Sequence, residues 1–241
     1  MLPIGDENDH AGIAFVTIGV VALNVLAFLY EINRPEHAVQ AFIFSWGVVP
    51  GEYSALSDLE PFIPYPFWTT LLTSMFLHGG WGHLFGNMLF LWIFGDNIEH
   101  RLGHFRFVLF YLATGLAASF AHIFFNAGSM IPAVGASGAI SGVLGGYLLM
   151  FPKNRVYVLT WGGVIAVPAV FMLGLWIVTQ FVNGVGSIAT TEETGGGGVA
   201  YMAHIGGFIA GLILAPAFAI GRPTALTSPR RSERYWRSSP W

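Results

Sequence analysis

Long uncharged apolar segments constrain this chain more than any other feature of its sequence. There are six of them, separated by polar or glycine- and proline-containing connections. We interpret them as transmembrane helices, because a segment that crosses lipid must satisfy its own backbone hydrogen bonds. The predicted helices cover residues 12–30, 81–97, 105–125, 134–151, 156–182 and 199–220. The expected fold is therefore an all-α polytopic membrane protein.

The composition agrees with this class of protein and excludes several kinds of site. The chain is 54% hydrophobic and 10% charged, whereas soluble domains are about 25% charged. It contains no cysteine, which excludes disulfide bonds, thiol nucleophiles and cysteine-ligated metals. Any chemistry must therefore come from other side chains held inside the membrane domain.

The distribution of basic residues predicts the orientation of the chain. With six spans, both termini lie on one side, together with the second–third and fourth–fifth connections. Nearly all Lys and Arg fall there: Arg101, Arg106, Lys153, Arg155, Arg222, Arg230, Arg231, Arg234 and Arg237. The positive-inside rule places this side in the cytoplasm. We expect a cytoplasmic N-terminus (1–11), a membrane domain (12–221) and a basic cytoplasmic tail (222–241).

Two outward-facing connections have unusual compositions. Residues 31–67 contain five prolines and an apolar patch at 42–49, so we expect a loop that is partly embedded in the membrane interface. Residues 183–198 end in four glycines and are expected to form a flexible connection.

Polar side chains occur at one depth in three of the predicted helices. The second, fourth and sixth helices all run inward from the outer face, and each carries polar groups soon after its start: His83 and Asn87, Ser137, and His204. Polar groups inside the membrane are costly and often functional. A lone serine or asparagine there more often makes a contact between helices. The functional interpretation therefore depends on all four polar residues together.

Two stripes of small residues accompany these polar groups. They are His204, Gly207 and Gly211 in the sixth helix and Ser137, Ser141 and Gly145 in the fourth. Small residues at this spacing let helices pack closely in lipid. We therefore expect the fourth and sixth helices to approach closely enough for a hydrogen bond between serine and histidine.

Four ordered motifs carry a resemblance to a known family. They are His78-Gly79-Gly80-Trp81-Gly82-His83-Leu84-Phe85-Gly86-Asn87, Gly95-x-x-x-Glu99-x-x-x-Gly103-x-x-Arg106-Phe107 followed by Tyr111, Gly135-Ala136-Ser137-Gly138-Ala139, and Ala203-His204-Ile205-Gly206-Gly207. With these motifs the chain resembles the rhomboid intramembrane serine proteases, of the minimal six-helix prokaryotic type.

The resemblance implies a function and a set of roles. Ser137 would be the nucleophile and His204 its general base, while His83, Asn87 and the Ser137 N–H would form the oxyanion hole. The substrates would be membrane-anchored proteins, cut in or beside their transmembrane segment within the bilayer of a prokaryotic plasma membrane. Neither a cofactor, a metal nor a nucleic acid is implied, and the oligomeric state stays open.

The sequence departs from the family pattern at two places. An arginine common before the second helix is replaced in Phe67-Trp68-Thr69-Thr70, and a tyrosine that stacks on the histidine in some members is Ser141 here. Another group must therefore orient His204. No Asp or Glu lies in the outer halves of the second, fourth or sixth helices, so we expect a Ser–His dyad.

Other functional classes fit the residues less well. A catalytically silent relative that binds and escorts membrane proteins is the main alternative, although it would not need Ser137 and His204. A transporter would need polar groups through both leaflets. A zinc protease would need His-Glu-x-x-His, whereas His100 and His104 lack the glutamate. Aspartyl chemistry needs paired carboxylates within the membrane, whereas Asp96 is the one Asp or Glu in the six predicted helices.

Overall fold

Apolar segments with few β-branched runs make this chain predominantly helical. A computed structural model describes residues 2–7, 12–60, 65–190 and 200–222. The α-helices in this part of the chain are α1 Phe15–Ile32, α2 Glu36–Trp46, α3 Pro50–Ala55, α4 Thr70–Thr73, α5 Trp81–Leu102, α6 His104–Phe125, α7 Ser137–Met150, α8 Ala169–Thr190 and α9 Tyr201–Ala219. The strands are β1 Leu2–Asp6, β2 Arg155–Thr160 and β3 Gly163–Pro168.

Each predicted transmembrane segment contains one long helix, namely α1, α5, α6, α7, α8 or α9. Within the described ranges, three of these are long and apolar enough to cross a membrane by themselves: α1, α6 and α9. Helix α7 and the first part of α8 are apolar but shorter. The chain is thus a multi-pass membrane protein.

The expectation of an all-α fold is wrong at residues 156–168, which we assigned to the fifth helix. Strands β2 and β3 form an antiparallel hairpin there, and β1 pairs with β2 to complete a three-stranded sheet within the described residues. Valines alternate with other residues along β2, and Gly163, at φ 110°, closes the turn. Pro168 is the last residue of β3, and α8 begins directly after it at Ala169.

Both connections that we predicted to face outward are more helical than we expected. The 31–67 segment holds α2 and α3, although its residues 61–64 lie outside the described part. Helix α8 continues to Thr190, so the first eight residues of the predicted flexible connection are helical. Residues 191–199 lie outside the described part of the chain. The predicted basic tail is likewise not described after residue 222.

Helix α7 lies at the centre of the bundle. Every residue from Gly138 to Tyr147 is buried, and the helix packs against α5, α6 and α9. A helix that is apolar on all sides must be covered on all sides, which explains how a 14-residue helix can be central. Its first residue, Ser137, is thereby held in a fixed place.

The strand β1 places a half-buried acid at the end of α7 opposite to Ser137. Asp6 Oδ2 accepts hydrogen bonds from Tyr147 Oη on α7 at 2.5 Å and from Asn97 Nδ2 on α5 at 2.8 Å. Burial away from water, and to a lesser degree the nearby Asp96 and Glu7, raises the pKa of Asp6 to about 8. The N-terminal strand is therefore fastened to the helices by a carboxyl group that favours its neutral form.

This acid predicts a pH-dependent stability. The native state holds a proton that the unfolded chain releases above its ordinary pKa of 3.8. Stability therefore falls as pH rises from about 4 to about 8, by at most ~1.4 kcal/mol per pH unit. We expect Asp6→Asn to raise the Tm in detergent at pH 8 and to raise it much less at pH 5. An equal change at both pH values, or a change as small as that of exposed Glu36→Gln, would contradict this.

Candidate active site

A short extended segment precedes Ser137 in the chain. Val48 and Ala133 exchange two backbone hydrogen bonds, of 3.0 and 2.8 Å, and the Gly135 N–H donates to the Ser74 carbonyl at 2.8 Å. Gly135 has a φ of 126°, which side chains rarely allow. The turn at this glycine sets the direction from which α7 starts.

Glycines bring α7 and α9 into backbone contact, as the stripes of small residues predicted. A Cβ on Gly207 would overlap the Gly138 carbonyl, and one on Gly211 would overlap the Gly142 carbonyl. In the other direction, a Cβ on Gly145 would overlap the Phe208 carbonyl. The two helices can therefore lie this close only without side chains at these positions.

Ser137 and His204 meet at the start of this helix pair. Ser137 is the first residue of α7, and His204 lies in the first turn of α9. The distance from Ser137 Oγ to His204 Nε2 is 2.8 Å, which is an ordinary hydrogen-bond length. The hydroxyl is thus placed to give its proton to the imidazole.

The other edge of the His204 ring is held by α8. Nδ1 lies 2.8 Å from Gln180 Oε1; since the amide oxygen can only accept, Nδ1 carries the proton in this contact. The indole ring of Trp176 lies over the imidazole, with centroids 6.0 Å apart and an angle of 33°. Ser141, by contrast, turns its hydroxyl to the Ser137 carbonyl at 2.6 Å.

His83 and Asn87 flank the turn that precedes Ser137. A methyl group on the Gly135 Cα would lie 2.7 Å from His83 Nε2 and 3.5 Å from Asn87 Nδ2. Asn87 Nδ2 also lies 2.9 Å from Nε2 of the fully buried His78. One amide N–H of Asn87 is used in that contact, which leaves the second N–H available for an oxyanion.

A small cavity opens beside the serine. It has a volume of about 30 Å³ and is lined mainly by small residues, with Met75 and His122 as its larger walls. Ser137, Gly138 and Ala203 contribute the side that adjoins the proposed reacting atoms. Space of this size suits a water molecule or a small side chain.

Comparison with known proteins identifies the family to which this chain belongs. The Rhomboid domain family matches residues 66–220, which is more than half of the chain. The chain belongs to the rhomboid family. It is 36% identical over 207 residues, 85% of this chain, to "Rhomboid protease GluP" of Bacillus subtilis (strain 168). At 30% identity over 142 residues, 54% of this chain, it is also similar to "Putative rhomboid protease YdcA" of the same organism.

Relatives also occur in eukaryotes. "Rhomboid-like protein 11, chloroplastic" of Arabidopsis thaliana is 29% identical over 155 residues, 62% of this chain. The matched parts make up 34% of GluP, 60% of YdcA and 52% of the plant protein. The chain thus spans between a third and three fifths of the length of these relatives.

The second of the rhomboid motifs fastens helices together. Glu99, fully buried, accepts hydrogen bonds from the Val16 and Thr17 N–H groups at 2.9 and 2.7 Å and contacts His104 Nδ1 at 2.5 Å. Arg106 donates to two carbonyls at the end of α9. His104 thus pairs with a buried carboxylate, which differs from the zinc arrangement considered for this sequence.

Sequence reasoning missed two residues of this rhomboid site. Gln180 was overlooked because we sought a charged partner for His204, and only on the helices that run inward. An amide in the predominantly apolar α8, one turn after Trp176, was the available signal. His78 begins the first motif, but its position beside Asn87 was not predicted; its ring contacts Asn87 directly.

Proposed function

We propose that this rhomboid is an intramembrane serine endopeptidase with Ser137 as nucleophile and His204 as general base. The 2.8 Å contact between Ser137 Oγ and His204 Nε2 carries the proposal. A serine hydroxyl is a weak nucleophile unless a neighbouring base accepts its proton. Here the base is in contact with it, and Gln180 leaves the Nε2 lone pair free to accept.

The reaction follows from this placement. Ser137 Oγ attacks the scissile carbonyl carbon while its proton passes to His204 Nε2, giving a tetrahedral oxyanion. The imidazolium then returns that proton to the leaving amine nitrogen as the C–N bond breaks. A water molecule, deprotonated by His204 Nε2, then attacks the acyl-enzyme, and the proton returns to Ser137 Oγ as the ester bond breaks.

We assign the oxyanion hole to the Ser137 N–H, Asn87 and His83. The Ser137 N–H lies in the first turn of α7, where backbone donors lack intrahelical partners. His83 and Asn87 reach the same turn from α5. Donors fixed in advance at this point would stabilise the charge that develops in the transition state.

Asn87→Ala is expected to lower kcat roughly 10²-fold with little change in KM, because one oxyanion donor is worth about 2.7–4 kcal/mol. The measurement is cleavage of a membrane-anchored reporter in detergent, with Tm recorded for each variant. Asn33→Ala, which removes an exposed amide at the end of α1, serves as the matched control. Wild-type kcat in Asn87→Ala would remove this residue from the oxyanion hole.

We further propose the setting of the reaction. The substrates are membrane-anchored proteins, and the cavity beside Ser137 favours a small residue at the cut. The membrane domain is residues 12–221 with six spans, located in a prokaryotic plasma membrane with both termini in the cytoplasm. The nearly one-sided distribution of Lys and Arg supports this orientation.

The test is incubation of the purified protein with a panel of type I membrane proteins, with products identified by mass spectrometry. We expect cleavage in or next to a transmembrane segment, lost in Ser137→Ala. Cleavage that persists in Ser137→Ala would refute the proposal. Binding of the panel without any cleavage would instead support a silent protein that escorts membrane proteins.

A further inference from the structure

We propose that Gln180 is the positioning residue for His204: its side-chain amide fixes the imidazole in the one tautomer and orientation that can accept the Ser137 proton. The inference rests on the proposed function, since it gives Gln180 a task within that reaction. It assigns to α8 a direct part in the site, which neither the family motifs nor the pattern of polar residues indicated.

The placement of Gln180 is the first argument. Its neighbours Phe181 and Val182 are exposed on the apolar surface of α8, whereas Gln180 is buried, with 9% of its surface accessible. An amide turned inward from such a helix must find hydrogen-bond partners. Its oxygen finds His204 Nδ1 at 2.8 Å.

Two hydrogen bonds determine which end of the Gln180 side-chain amide faces His204. Thr179 Oγ1 donates its single proton to the Trp176 carbonyl at 2.6 Å. Its lone pairs are then left to accept from Gln180 Nε2, which lies 3.4 Å away. With the nitrogen directed to Thr179, the oxygen of the same amide faces His204.

The orientation of the Gln180 amide decides which ring nitrogen of His204 is basic. Because Oε1 accepts, Nδ1 must carry the proton and Nε2 must present its lone pair to Ser137 Oγ. The opposite tautomer would place an N–H against the serine hydroxyl and leave the amide oxygen without a donor. In serine proteases with a triad, loss of this control costs about 10⁴-fold in kcat.

Trp176 completes the arrangement from the same helix. It lies one turn before Gln180, and its indole ring lies 6.0 Å from the imidazole, centroid to centroid, while Gln180 accepts from the Nδ1 edge. The ring is thus fixed in position by Trp176 and in rotation by Gln180. A neutral amide does this without burying a charge, which in an apolar bundle would be costly.

The test compares two substitutions of Gln180 with a matched control. Gln180→Leu keeps the approximate size and removes the acceptor, Gln180→Glu keeps an acceptor oxygen in either protonation state, and Asn183→Leu makes the same amide-to-leucine change at an exposed position of α8. The readouts are kcat and KM for a membrane-anchored reporter, Tm, and the ¹⁵N shifts of His204, assigned by comparison with His204→Ala.

We expect Gln180→Leu to lower kcat by roughly 10–100-fold with KM within about twofold, and to mix the two His204 tautomers. Gln180→Glu should recover most of the rate, and Asn183→Leu should behave as wild type. Equal rates in Gln180→Leu and Asn183→Leu would overturn the inference. So would equal losses in the Leu and Glu variants, which would indicate packing alone. Failure of the proposed function is distinct, since Ser137→Ala would then still cleave.

Discussion

His204→Ala is expected to lower kcat by ~10⁴-fold. Removing the imidazole leaves Ser137 Oγ without the group that accepts its proton at 2.8 Å, and comparable deletions of a serine protease histidine cost up to about 10⁶-fold. Substrate binding should persist, so KM should change far less than kcat. The measurement is cleavage of a membrane-anchored reporter by purified protein in detergent or liposomes.

A matched control separates this effect from the mere loss of a histidine. His37 is exposed on α2 and far along the chain from the site, so His37→Ala should cleave at the wild-type rate. If His204→Ala kept more than a tenth of the wild-type kcat while remaining folded, His204 would not be the general base.

Gly207→Val is expected to remove detectable cleavage and to lower the Tm. A Cβ at Gly207 would occupy the place of the Gly138 carbonyl, so α7 and α9 must move apart. Displacing reacting groups by about 1 Å can cost 10²-fold, and overpacking a core costs about 1–3 kcal/mol. The displacement lowers the rate through the contact between Ser137 and His204, and the overpacking lowers the stability.

The control for this substitution is another glycine in an apolar helix. Gly19 on α1 is exposed, and a Cβ there would meet nothing within 4 Å. Gly19→Val should therefore keep both cleavage and Tm close to wild type. Full activity in Gly207→Val would mean that the close approach of α7 and α9 is unnecessary for the reaction.

The sequence predicted the central part of the fold because two independent signals indicated the same arrangement of helices. Uncharged length located the helices, and glycines at a spacing of three to four residues identified the faces that meet. Together they predicted that Ser137 and His204 approach each other, and the two side chains lie 2.8 Å apart.

The rest depended on information that apolar length does not contain. The residues of β2 and β3 are nearly as apolar as a membrane helix, and only the alternation along β2 and the Trp161-Gly162 turn distinguish them. Gln180 could not be assigned to His204, because which face of α8 meets α9 is set by packing among distant helices.

The most direct measurement of the central claim is labelling by a fluorophosphonate, followed by peptide mapping of the adduct. Such reagents react with a serine hydroxyl that has an activating base beside it. We expect a single adduct, on Ser137, that forms in the wild type and is lost in His204→Ala. An adduct on another residue, or equal labelling of Ser137 with and without His204, would contradict the account.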